Sequence, residues 1–378
     1  ILTQNLIEEI KESYKKQVDE VLDQTNAEPE IIPNKKTELE DVYAPFDNHE
    51  ILPQKLQNRE IRFIDAISEA IEISMKNHPN LVLMGQDIAE YGGAFKITEG
   101  FVEKFGKKRV RNTPLCEAAI VGSGLGLSIN GYKSMVEMQF ADFVTEGFNQ
   151  IINNLAKTHY RWNQNADVVV RMPTGAGTGA GPFHSQSNEA WFAKTPGLKI
   201  AYPAFPDDAK GLLIQSFEDP NPVLFFEHKK LYRSLKGNVP EGFYTTPFGK
   251  ARKVKEGNEL TIITYGLGVH IALEFAEKNP EISLEIVDLR TLIPLDTETI
   301  YKSVKKCNKV IILHEDTLTC GFGAELSALI SEHCFEDLDA PILRVASMDT
   351  PIPFNKKLED QFMPNEELAE AVDKILKY

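Results

Sequence analysis

Cysteine is scarce in this chain: there are four, Cys116, Cys307, Cys320 and Cys334, and no two of them form a CxxC pair. That spacing excludes a disulfide framework and a zinc site of the usual kind, and the four are expected to be reduced, mostly buried thiols. No apolar stretch approaches the ~20 residues that a membrane span requires. The opening residues ILTQNLIEEIKESYKKQ also lack the charged head, apolar middle and cleavage site of a signal peptide. No membrane association is expected, and the cytoplasm is the expected location. Basic residues are outnumbered, 41 Lys and Arg against 56 Asp and Glu, for a formal net charge of −15. A nucleic-acid partner is therefore not expected, because phosphate recognition needs a clustered positive face.

Several common site motifs are missing as well. GSGLG at 122–126 has no third glycine and lies inside a helical stretch, so the dinucleotide fingerprint fails. TGAGTGAGPFHS at 174–185 is glycine-rich without the GK[ST] of a P-loop, VGSGL does not satisfy GxSxG, and the histidines show no HExxH spacing.

What is present is ordinary globular material, 42% hydrophobic and 26% charged over 378 residues, enough for two or three domains. Leu2, Leu6, Ile10 and Tyr14 recur every four residues, which predicts an amphipathic helix over 1–22. Residues 23–59 are polar and carry Pro29, Pro33, Pro45 and Pro53, the signature of an extended linker. From residue 60 helical and strand periodicities alternate, as in LVLMGQD (strand), AAIVGSGLGLSIN (helix), SMVEMQF (strand), NQIINNLAKTHYRW (helix) and ADVVVRMP, read as a fully apolar strand. A second alternating set runs from ELTIITYG to PILRVAS. The expected fold class is α/β, with two consecutive three-layer domains built on mainly parallel sheets, over 60–240 and 241–378.

Two residues invite chemistry. Glu117 heads a run of small and apolar residues that offers it no cation, and a carboxylate buried without partners takes up a proton or finds a ligand. The plainer alternative makes Thr113 an N-cap and Pro114 the first helical residue, with Glu117 favoured by the helix dipole. His184 ends the glycine-rich loop, where it is either a solvated loop residue or a group presented to a cleft.

Five segments in order carry a more specific signal: NTPLCEAAIVGSGLGLSINGYKSMVEMQFADF (112–143), FHSQS with PGLKIAYP behind it, EDPNPVLFFEHKKLYR (218–233), VDLRTLIPLD (287–296) and HEDTLTCGFGAEL (314–326). Over roughly residues 60–378 the chain resembles the β subunit of the thiamin-diphosphate-dependent E1 component of 2-oxo acid dehydrogenase complexes. TPLCE, EMQFADF and HSQS are closer to the branched-chain (2-oxoisovalerate) type than to pyruvate or acetoin dehydrogenases. The resemblance implies a pyrimidine-binding domain followed by a transketolase C-terminal-like domain.

It further implies that Glu117 hydrogen-bonds N1′ of the cofactor's aminopyrimidine, with Leu115 and Gln139 on the same wall and Phe143 stacked on the ring. In low dielectric that shared proton favours the imino tautomer, whose 4′-nitrogen removes the C2 proton. His184 matches the histidine offered to the reacting end, where the acyl group passes to the lipoyl group of the E2 acyltransferase. A structural potassium ion would fall on Ala166, Val168, Val169 and Ser216, with Asp219 and Asn221. The GDG motif that holds the diphosphate through Mg²⁺ does not occur in the sequence. The resemblance therefore implies that Mg²⁺ is held by an E1 α region, fused or separate, with two β parts pairing in an α2β2 arrangement. The first helix and DVYAP at 41–45 resemble the tail of that α region, so the chain is expected to be the C-terminal part of a fused polypeptide. A single-chain transketolase would carry its own diphosphate motif. A non-catalytic α/β scaffold or electron-transfer module is the rival of another class, and the combination of Glu117, Phe143 and His184 argues against it.

Overall fold

The structure, a computed structural model, describes residues 3–54 and 57–378. The chain forms two compact units, Ile1–Asp41 and Val42–Tyr378.

In the first unit a helix spans Gln4–Asn26, and the Thr3 hydroxyl accepts from Leu6 N (3.3 Å) as its cap. Leu6, Ile10 and Tyr14 lie on it, each exposed, while Leu2 of the same expected stripe lies outside the described residues. A second, short helix, Lys35–Glu40, occupies part of the segment expected to be extended. The Asn34 side chain accepts from Lys36 N (3.0 Å), an N-cap signal that the surrounding prolines masked.

Among the described residues of the second unit there are fourteen strands, β1 to β14 in chain order. Seven form one sheet in the order β12 (Thr291–Ile293), β6 (Lys199–Ala201), β7 (Val223–His228), β5 (Val168–Thr174), β4 (Lys133–Glu137), β2 (Leu81–Gly85), β3 (Val110–Asn112). All its neighbours are parallel except β12 with β6. Five form a second sheet in the order β14 (Leu343–Ser347), β13 (Val310–Thr317), β10 (Leu260–Thr264), β11 (Leu284–Asp288), β9 (Arg252–Lys255), with β9 antiparallel at the edge. The remaining pair, β1 (Asn58–Arg62) with β8 (Lys236–Pro240), is antiparallel.

Parallel strands covered on both faces read as unbroken apolar runs, and β2, β5, β7, β10 and β11 are buried along their whole length. The periodicities therefore mark these elements well. Two features depart from the pattern. β5 is buried throughout yet contains Arg171, so it is not the wholly apolar strand its neighbours suggest. β12 comes from the second half of the sequence but completes the first sheet.

The segment after Asp41 is tied to the body rather than loose. Tyr43 OH donates to Leu198 O (3.0 Å), Ala44 N to Asn221 Oδ1 (2.8 Å) and Ile51 N to Thr245 Oγ1 (2.8 Å). Two of the four cysteines, Cys307 and Cys334, are buried, whereas Cys116 and Cys320 are exposed.

Candidate active site

β3 ends at Asn112, but Thr113 N still donates to Gly85 O (2.9 Å), which keeps the chain extended. Pro114 then disfavours helical backbone at Thr113. The helix accordingly starts at Glu117 rather than at Pro114. Cys116 occupies the cap position without a side-chain cap, and the Thr113 hydroxyl is buried without a partner. Glu117 thus stands in the first turn, where the helix dipole favours an anion. The small residues behind it divide their tasks: Gly124 faces the sheet, where a Cβ would meet Ser134, Val136 and Val168 at 3.1–3.2 Å, while Gly126 faces open space.

Glu117 is only 6% exposed and lines a cleft of about 570 Å³ with Leu115, Cys116, Asp142, Phe143 and Gln186. The Gln86 side-chain N–H donates to Glu117 Oε1 (3.0 Å). No salt bridge to Glu117 occurs among the described residues. A buried carboxylate with a neutral partner, beside an aromatic wall, suits a flat heterocycle with a protonatable ring nitrogen.

His184 packs edge-on against Phe143 of that wall, at 5.4 Å between centroids, and against the neighbouring Phe140 at 4.7 Å. Its sequence neighbours Phe183 and Gln186 line the cleft. Asp142 fixes this arrangement. Its Oδ1 accepts from the backbone N–H of Ser185 (3.2 Å) and Gln186 (3.1 Å), and the Asn188 side chain donates to Ala141 O (2.9 Å). The second Asp142 oxygen is buried without a partner, and burial raises this carboxyl above the ordinary Asp range. Leu115 stands exposed at the rim. Gln139 is half-buried and directed to Asp87, with its Nε2 3.5 Å from Asp87 Oδ2.

The glycine-rich loop is fastened at several points. Ala176 N donates to Glu315 (2.6 Å), Gly177 N and Gly179 N donate to Glu359 (2.8 and 2.9 Å), and Lys229 Nζ donates to Gly175 O (2.7 Å). At Gly175, with φ +91°, a Cβ would overlap the His228 ring, so only glycine fits.

In the sheet, Arg171 on β5 joins Glu227 on β7 through two hydrogen bonds of 2.6 Å and also reaches Glu137 on β4. The three side chains are essentially without solvent. Burial holds Glu137 above the ordinary carboxylate range in spite of the guanidinium. Two further acids lie behind the His184 loop: burial and neighbouring carboxylates push Glu189 up to about 8 and Asp316 up to about 7.

The six residues expected around a monovalent cation sit at the start of β5 and the end of the helix Pro206–Glu218. Carbonyl oxygens at a helix C-terminus suit a cation. The side chains are already engaged: Asp219 accepts from the Lys199 ammonium and from Asn221, and Asn221 pairs with the backbone of Ala44. Among the described residues no group of three or more His, Cys, Asp or Glu is arranged to hold a metal ion.

Gln86, Asp142 and Arg171 were not singled out by sequence patterns. Asp142 lies inside the FADF of a quoted motif, and Arg171 is a charge where a buried strand should have none.

Residues 59–234 match the transketolase pyrimidine-binding domain family and residues 249–368 the transketolase C-terminal domain family. The fold agrees: the structure is similar to that of a split gene transketolase, an inactive beta4 tetramer, with a TM-score of 0.67 and 23% identity over 84% of this chain and 99% of that one. The class is thus transketolase-like, two α/β domains with mostly parallel sheets.

Within it, the chain is 47% identical over 314 residues to the 2-oxoisovalerate dehydrogenase subunit beta of Bacillus subtilis (strain 168), covering 82% of this chain and 96% of the relative. It is 44% identical to the mitochondrial 2-oxoisovalerate dehydrogenase subunit beta of Dictyostelium discoideum, over 85% of this chain and 88% of that one. It is 40% identical to the pyruvate dehydrogenase E1 component subunit beta of Bacillus subtilis (strain 168), over 84% and 99%. The chain belongs to the E1 β-subunit family of the 2-oxo acid dehydrogenases, whose cofactor is thiamin diphosphate and whose β subunits work with an E1 α subunit.

Proposed function

We propose that this chain is the β part of a branched-chain 2-oxo acid dehydrogenase E1, acting on 2-oxoisovalerate and its relatives in preference to pyruvate, in the cytoplasm. The observation that carries the reading is Glu117, a buried carboxylate without an ion-pair partner in a cleft whose aromatic wall also holds His184. The substrate preference is supported by the identity to 2-oxoisovalerate dehydrogenase β subunits.

When bound, thiamin diphosphate supplies the carbon nucleophile and the electron sink for loss of CO₂. In this reading Glu117 holds a proton at N1′ of the pyrimidine, Phe143 and Leu115 exclude water from the ring, and Gln86 orients the carboxylate. Gln139 closes the same wall. His184, held by Asp142, donates a proton to the sulfur of the lipoyl group when the acyl group is transferred to E2. Diphosphate and Mg²⁺ contacts come from an E1 α region, and two β parts pair in the active assembly. A potassium ion on the carbonyls of Ala166, Val168, Val169 and Ser216, near Asp219 and Asn221, has a structural role.

The test uses the complete assembly with the α region. Expected are a higher kcat/KM for 2-oxoisovalerate than for pyruvate, and little activity for this chain alone. His184→Ala should lose about 10² to 10⁴ in acyl transfer to a lipoyl domain. Decarboxylation with an artificial electron acceptor should fall much less. Equal losses in both assays would show that His184 acts before the transfer step.

A further inference from the structure

A second cavity, of about 520 Å³, is lined in part by Phe95, Phe140 and Tyr232 and by Lys229, Lys230 and Arg233. Three cations converge on one recess of a chain whose formal net charge is −15. Several cations elsewhere in the molecule are paired: Lys133 with Asp167, Lys199 with Asp219, Arg252 with Asp207 and Asp208. Among the described residues, none of these three forms a salt bridge. No Asp or Glu among the described residues lines the recess itself, and Asp142, Glu315 and Glu359, which attract the Lys229 ammonium, stand outside its lining, so an anion entering the recess meets an excess of positive charge.

The recess is built rather than incidental. Lys229 is 5% exposed, and burial lowers it to about 8 although Asp142, Glu315 and Glu359 nearby favour its charged form. Its acceptor is Gly175 O, at 2.7 Å, which leaves donors of a three-donor group for a ligand. The stem of Lys230 lies over Gly177, where even a Cβ would stand 2.8 Å from Lys230 Cδ. The loop that carries Gly175 and Gly177 is fastened by Glu315 and Glu359. On the other wall, Phe95 meets Phe140 and Tyr232 edge-on, with centroids at 5.5 and 5.1 Å.

We propose that this cavity is a binding site for a small monocarboxylate with a compact apolar body, its carboxylate on Lys229, Lys230 and Arg233 and its body against Phe95, Phe140 and Tyr232. Three aromatic rings facing a cationic edge fit such an amphiphilic anion. A phosphate is a poorer fit, because the loop N–H groups of Gly177 and Gly179 that would cradle it already hold the Glu359 carboxylate. Phe140 forms a wall of this site and also packs on His184 at 4.7 Å, so an occupant lies one ring away from that side chain.

The test needs neither turnover nor cofactor and is independent of the proposed reaction. Binding of 3-methylbutanoate to the full chain is followed by ligand-observed NMR, with neutral 3-methylbutanamide and inorganic phosphate as competing probes. The expected result is binding in the range of about 1 mM or tighter, weakened at least about tenfold when the amide replaces the acid. The double variant Lys230→Ala/Arg233→Ala, at two exposed positions, should lose at least about tenfold. Glu117→Gln, in the other cleft, should bind as the parent does. A double variant within about twofold of the parent, an amide that binds equally, phosphate displacing the acid at equal concentration, or loss of binding in Glu117→Gln would each overturn the assignment.

Discussion

Arg171→Met removes the cation between two buried carboxylates while keeping an unbranched apolar stem. Arg171 and Glu227 are 0% exposed and Glu137 is 4% exposed, so no water can take over the lost hydrogen bonds. Removing one partner of a buried pair costs about 3–5 kcal/mol, and a midpoint of about 4 corresponds to a Tm lower by roughly 8 °C at about 2 °C per kcal/mol for a chain of this size. The remaining carboxylates can escape part of that cost by taking up protons, which gives the effect a sign with pH. Without the guanidinium, Glu137, which burial already holds above the ordinary carboxylate range, rises further above its unfolded value. A folded state that binds more protons than the unfolded state loses stability as pH rises. The deficit of Arg171→Met should therefore be smaller at pH 5 than at pH 8, by up to about 4 kcal/mol for one carboxyl over three pH units. Thermal melts of parent and variant at both pH values decide the matter. A Tm within about 2 °C of the parent at both, or a larger deficit at pH 5, would refute the view that this cation compensates two buried charges.

Three further perturbations probe the site and its frame. Glu117→Gln keeps the shape and the contact with Gln86 but cannot share a proton, so C2 hydrogen exchange of bound thiamin diphosphate in the assembled enzyme should slow by about 10² or more, while cofactor affinity falls less. Exchange at the parental rate would return Glu117 to a helix-start residue. Asp142→Ala strands the N–H groups of Ser185 and Gln186, at about 1–3 kcal/mol each, and amide hydrogen exchange over 184–188 should accelerate; unchanged protection would mean that the loop is held elsewhere. Asp288 is fully buried with one oxygen unpartnered, and burial together with Asp208 pushes it up to about 7. Its folded-state value lies above the unfolded one of about 3.9, so it withdraws stability as pH climbs from about 4 to about 7 and no more above that, and Asp288→Asn should flatten the Tm profile between about pH 5 and 7.

The strands and helices of the body are legible in the sequence because buried parallel strands and the helices covering them leave periodicities that one chain suffices to show. Glu117 and His184 stand out for related reasons, an acid among small residues and a histidine after four glycines, whereas Phe143 comes only with the family resemblance of EMQFADF. Their supports do not stand out. Asp142 matters because residues 43 positions apart, at Ser185, meet it in space, and nothing local marks that pairing. Gln86 is a neutral side chain whose role depends on Glu117, 31 residues on. The fastening of the glycine loop by Glu315 and Glu359 spans 139 and 182 residues. Periodicity is local, and these contacts are not. The short helix at Lys35–Glu40 was obscured differently, since prolines on both sides outweighed the Asn34 cap.

β12, only three residues long, shields a vulnerable border. It covers the free side of β6, whose other side is bonded to β7, by antiparallel pairing of Thr291 with Ala201 and Ile293 with Ile200. During synthesis that border stays open until some ninety residues after β6 have been made, with Ile200 and Ala201 available to any extended segment nearby. A nascent or proteolytically shortened chain ending before residue 291 would keep every other strand of the sheet, yet it would offer a sticky edge to its neighbours. The first half of the body therefore depends on the second for colloidal safety as well as for completeness.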